Sequence, residues 1–113
     1  MTAKQHSSVM DVLDWLTDAK ERRILQRSFT HPFVRCYQRD DFKYFDKGRS
    51  VLVSGELMTS RDPQRIIYRR CPLVWEQSGQ PLTSDEREQV FRCVGQYLDR
   101  KKIKWAFSDA DPA

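Results

Sequence analysis

The most reactive side chains of this sequence lie close together. His31 and Cys36 are the residue types of a base and a nucleophile, and Asp40, Asp41 and Asp46 could add carboxylates for acid–base work or for a cation. A Cys–His pair is defined by spatial geometry, and a separation of a few residues does not create it. Cys36 stands in a stretch where a small apolar residue would serve equally well, so it reads as a buried structural thiol and His31 as a loop residue. The three aspartates do not match a calcium loop and read as turn residues. No nucleophile elbow, phosphate-binding loop, dinucleotide fingerprint or H-E-x-x-H occurs, and the 4 glycines are not clustered. The 3 cysteines, Cys36, Cys71 and Cys93, are widely spaced without a C-x-x-C, and neither His6 nor His31 has ligand spacing from a cysteine pair. The expectation is a non-enzyme with thiols in a reducing cytoplasm and with no metal or cofactor.

Basic residues fall into three groups. Arg61, Arg65, Arg69 and Arg70 crowd one loop and strand, and Lys43, Lys47 and Arg49 crowd a hairpin. Arg100, Lys101, Lys102 and Lys104 form the longest basic run, next to Trp105. Cations beside an aromatic ring can hold single-stranded nucleic acid by phosphate contact and stacking. The bland reading is a solvated basic edge that protects a strand. The order helix, strands, helix resembles double-stranded-RNA domains. Those start their second helix with lysines, whereas Thr83-Ser84-Asp85-Glu86 stands here and repels phosphate.

Trp15, Trp75 and Trp105, with Tyr37, Tyr44, Tyr68 and Tyr97, exceed what a core of this size easily hides. Trp, Tyr and Arg anchor protein interfaces, so some of these aromatics are expected at the surface. The candidate partner-binding set is Arg61, Arg65, Arg69, Tyr44 and Trp75.

The elements that must position these residues follow from periodicity. Val9, Val12, Leu13, Leu16, Ala19 and Ile24 repeat at helical spacing, which predicts a helix from about Ser8, its N-cap, to Ser28. Trp15, at the edge of that face, either covers the core or makes contacts. Acidic residues lead this helix, and Lys20, Arg22, Arg23 and Arg27 close it, which suits the helix dipole. Strands are predicted over Phe33–Gln38, Phe42–Phe45, Arg49–Gly55 and Arg65–Arg70, with Asp46-Lys47-Gly48 as a hairpin turn. Leu73-Val74-Trp75 is either a bulged continuation past Pro72 or a separate edge strand. Thr83 and Glu86 have capping-box spacing for a second helix ending near Lys101, with Glu88 and Arg92 as an i,i+4 pair. Ile103, Trp105 and Phe107 alternate as a last strand. The prediction is a two-layer α+β fold, with an antiparallel sheet of about four to six strands and two helices in the order α-β-β-β-β-α-β. Residues 1–7 and 108–113 are expected to fray.

Composition bounds the rest. A length of 113 residues suits one domain, and 39% hydrophobic with 12% aromatic residues can form a core, which excludes global disorder. The net charge is +4, from 20 Lys plus Arg against 16 Asp plus Glu, with both signs mixed along the chain. No apolar run is long enough to cross a membrane, and the polar N-terminus lacks the order of a secretory signal. A cytoplasmic location is expected.

The segment from Arg49 to Phe107 resembles small immunity proteins of bacterial polymorphic-toxin, contact-dependent or type VI secretion systems. The resemblance rests on the Arg49-Ser50-Val51-Leu52-Val53 strand followed by Glu56, on Leu73-Val74-Trp75-Glu76, and on Pro81-Leu82-Thr83 with Glu86 opening a long helix that leads into a last strand. It implies a cytoplasmic inhibitor that binds a cognate toxin and needs no catalytic residues. A small nucleic-acid-binding domain using Arg100, Lys101, Lys102 and Lys104 is the alternative. A secretion chaperone or adaptor is the third reading, although such chaperones tend to be acidic and this chain is basic.

Overall fold

The computed structural model of the chain describes residues 19–112. The expected Ser8 N-cap, most of the first helix's apolar face, Trp15 and the fraying of 1–7 lie outside them. Helix α1 covers 19–27 of the described chain and ends where Ser28 folds its hydroxyl back onto the Leu25 carbonyl, at 2.5 Å. Its inward positions, Glu21, Ile24, Leu25 and Ser28, recur at helical spacing.

Strands β1 (Phe33–Tyr37), β2 (Asp41–Asp46) and β3 (Arg49–Val53) form one antiparallel sheet in that order. The β2–β3 turn has Lys47 at φ 53° and Gly48 at φ 75°, two successive left-handed residues that match the twist of a tight hairpin. Phe42, Tyr44, Val51 and Val53 face α2 (Ser84–Arg100), while Lys43 and Phe45 face α1. Lys43, Tyr44 and Phe45 are all buried, so β2 has no solvent face. The α+β fold with two helices forms as predicted, and the first sheet is covered by a helix on each side.

Strands β4 (Gly55–Leu57), β5 (Arg65–Tyr68) and β6 (Trp105–Ser108) form a second sheet. Two differences from the predicted single antiparallel sheet appear here. The run Arg49–Gly55 breaks at Ser54 and its end joins the second sheet. β6 pairs parallel to β5, with Ile66 opposite Ala106, because α2 carries the chain back across the core. Leu73-Val74-Trp75 is neither a continuation nor a full strand; it makes one bridge, Val74 to Pro81. Buried residues of both sheets meet α2 in one core through Val90, Phe91, Val94 and Leu98.

Helix α2 begins as predicted. The Glu86 amide donates to Thr83 Oγ1 at 3.2 Å and the Thr83 amide donates to Glu86 Oε1 at 2.9 Å. The second bond is the main reason the Glu86 carboxyl titrates below the usual carboxylate range. Thr83→Ala should lower unfolding free energy by about 1 kcal/mol, read from the urea midpoint. The predicted Glu88–Arg92 pair is replaced by a contact of Arg92 with Gln89.

Candidate functional site

Among the described residues, His31, Cys36 and the three aspartates each engage separate partners. His31 meets Thr30 Oγ1 at 3.1 Å and stacks on Phe33 with ring centroids 4.5 Å apart. Cys36 points to the other face of β1, with Sγ 3.6 Å from Tyr97 Oη and 3.7 Å from an Arg65 nitrogen. Asp40 accepts from the Leu57 amide at 3.0 Å, which holds its carboxyl low, and Asp41 accepts from the Gly55 amide at 3.2 Å. Asp46 accepts from Tyr44 Oη at 3.1 Å. All three cysteines are unpaired thiols. Among the described residues, no group of three or more His, Cys, Asp or Glu could hold a metal ion.

The partner-binding set is not brought together as a surface. Tyr44 and Trp75 keep 1% and 3% of their exposure, so both rings are core, which corrects the expectation that they are contact residues. The physical reason for Tyr44 is strand alternation: with Phe42 it takes the α2 side of β2. Burial raises its phenol well above the ordinary tyrosine range. Trp75 is roofed by Arg49, whose guanidinium carbon lies 3.8 Å from the indole centroid and which pairs with Glu86 at 3.5 Å. Arg65 turns inward, donating to the Arg39 carbonyl at 2.9 Å and lying over Phe42. Arg69 is engaged with Asp109 at 3.0 and 3.1 Å. Arg61 alone of the five projects from a loop as an exposed side chain without a protein partner among the described residues.

Arg100, Lys101, Lys102 and Lys104 are all exposed around the C-terminal end of α2. The ring beside them is occupied: Trp105 packs against Gly95 and donates its indole N–H to Asp99 at 2.9 Å. Lys104 approaches Asp62 at 3.8 Å.

A different cationic site lies between α1 and β1. A cavity of about 370 Å³ is lined by Lys20, Arg23 and Arg27 of α1, by Arg35 of β1, and by Ile24, Phe33, Val34 and Phe45. Arg27 lies over the Phe33 ring, 5.2 Å from its centroid. Among the described residues none of the four cations is in an ion pair, whereas Lys43, one strand inward, is held by Glu21 at 3.0 Å and Glu76 at 3.4 Å. The floor is apolar and the rim is positive. That combination suits an anionic group on an apolar or extended body. Sequence reasoning assigned Lys20, Arg23 and Arg27 to the helix dipole and did not single out Arg35. The signal present was spacing: 20, 23 and 27 fall on one helix face, beside the apolar positions that seat the helix.

Three other cavities carry both signs, and one of them, of about 490 Å³ beyond the end of α2, is lined by Asp62 and Asp99 with Lys102 and Lys104. One of about 390 Å³ near the start of α2 is lined by Asp46, Asp85 and Glu86 with Lys47 and Arg49. One of about 550 Å³ between α2 and β6 is lined by Glu88 and Asp99 with Arg69 and Arg92. No family model, no curated protein and no solved structure matches the chain.

Proposed function

We propose that this chain is a protein-binding module of the immunity type, which neutralises a cognate bacterial toxin in the cytoplasm by direct contact. The observation that carries this reading is the α1–β1 groove, where four cations without acidic partners among the described residues surround an apolar floor. Positive charge over a dry floor speeds encounter with an acidic surface, and the apolar contact then slows release. An inhibitor of this kind needs only a rigid scaffold, and a groove framed by a helix and the edge strand of a packed sheet supplies one. The nucleic-acid alternative has exposed cations at Arg100, Lys101, Lys102 and Lys104, but the neighbouring Trp105 ring is already engaged with Gly95 and Asp99, so a stacking platform is lacking there.

The test is affinity capture with the tagged chain from its source cells, after nuclease treatment and across a salt series. The captured protein is then expressed with and without the chain. Growth arrest that co-expression relieves is the expected result, and Arg23→Glu with Arg35→Glu should weaken the complex about 100-fold. Capture that vanishes with nuclease, or a captured protein harmless on its own, overturns the reading.

A further inference from the structure

Among the described residues the two sheets have four strand edges, and the fold treats them differently. On β3, Ser50 receives a bond from the Glu76 amide at 2.8 Å and donates its own amide to Gln77 Oε1 at 2.8 Å. On β4, the Gly55 and Leu57 amides are capped by Asp41 and Asp40. Both edges are closed by the chain itself. Among the described residues β1 and β6 have a neighbouring strand on one side only. The cavity beside β6 carries both signs and selects no occupant. The cavity beside β1 selects for negative charge.

That cavity also reaches the edge itself. Phe33 and Arg35 point toward α1, whereas Val34 packs against the core on the opposite face of β1. The cavity also takes in Val34 between them, so it runs along β1, whose outer side has no neighbouring strand among the described residues.

We infer that the partner engages this groove as an extended acidic segment that adds to the outer edge of β1 as a fourth strand. The inference rests on the function proposed above and names the mode of contact. Main-chain bonds to β1 supply affinity, and alternate side chains of the added strand supply selection. Carboxylates on the α1 face of that strand meet Arg35, Arg23 and Arg27, and its alternate apolar side chains lie on the opposite face, beside Val34. A nucleic acid satisfies the cations but offers no strand backbone to the outer edge of β1, so the edge favours a peptide.

The probe is a labelled eight-residue peptide of alternating glutamate and valine. Its lysine–valine counterpart and a single-stranded oligonucleotide of equal charge are the comparisons. Binding to the full chain is read by fluorescence anisotropy, and hydrogen exchange is followed at the amides of 33–37. The glutamate peptide should bind in preference to both comparisons and slow exchange at alternate β1 amides about tenfold or more. Arg23→Glu with Arg35→Glu should abolish that protection while leaving exchange in α2 unchanged, which shows the variant folded. Oligonucleotide binding in place of peptide binding overturns both the mode and the protein-binding reading. Failure of every probe overturns the mode, as does peptide binding that leaves the β1 amides unprotected. If the captured toxin is neutralised with its β1 amides still exchanging freely, strand addition alone falls and the inhibitor function stands.

Discussion

Replacing Gly55 with alanine should cost the chain about 3 kcal/mol of unfolding free energy and lower its melting temperature by roughly 10 °C. Gly55 opens β4 at the point where the chain leaves the first sheet for the second. A β-carbon there would stand 2.7 Å from the Ile66 carbonyl oxygen, 2.8 Å from that of Asp40 and 2.9 Å from the Phe42 ring. Two of these neighbours are backbone, and Phe42 is fully buried. None can yield without moving a strand, so the cost belongs at the upper end for overpacking. The entropy that alanine removes from the unfolded chain, at most about 1 kcal/mol, does not offset it. A urea midpoint within error of the parent would show that the two sheets are less tightly joined than these distances require.

Lys43→Met should cost about 2 kcal/mol. The ammonium reaches both Glu21 oxygens, at 3.0 and 3.1 Å, and Glu76 at 3.4 Å. Glu76 also accepts from Ser50 Oγ at 2.6 Å. Removing the cation leaves two carboxylates facing one another, both partly hydrated, which keeps the cost below that of a fully dry pair. Burial works against the Lys43 charge, but the Glu21 and Glu76 carboxylates outweigh it and raise the ammonium above its ordinary value of 10.5. A raised folded-state value means a contribution that is complete below the unfolded value and is lost as pH climbs through the folded one. Buried Tyr44, also raised, acts in the same direction from its ordinary value of 10.0. The urea midpoint should therefore fall above about pH 9, where the half-buried Cys93 thiol, also raised, begins to contribute, and it should fall less in Lys43→Met, where the shares of Cys93, Tyr44, Tyr68 and Tyr97 remain. A parent midpoint flat to pH 11.5, or a methionine variant more stable than the parent at neutral pH, contradicts this account.

How much of this could be read beforehand depended on the range of the signal. The α2 capping box and the Lys47-Gly48 turn are written in adjacent residues, and both form as predicted. The passage of Gly55 into a second sheet is set by the Asp40 and Ile66 backbones, distant in sequence. The parallel β5–β6 pairing is set by where α2 delivers the chain. Neither leaves a local mark. Two of the candidate contact residues are core for a related reason. Tyr44 and Trp75 carry interface chemistry, but strand alternation and the Arg49 roof consume them. Arg35 became prominent only when α1 was laid across the first sheet and placed Arg23 and Arg27 beside it.

The β1 edge has one more consequence, for copies of the chain meeting each other. Two molecules that paired β1 against β1 about a two-fold axis would bring Arg35 and the α1 cations of one copy toward those of the other. Like charges so placed disfavour the symmetric dimer that a bare strand edge otherwise invites. If β1 takes an acidic strand as proposed, the residues that admit it also turn away a second copy, so an edge without a neighbouring strand among the described residues need not lead to self-association.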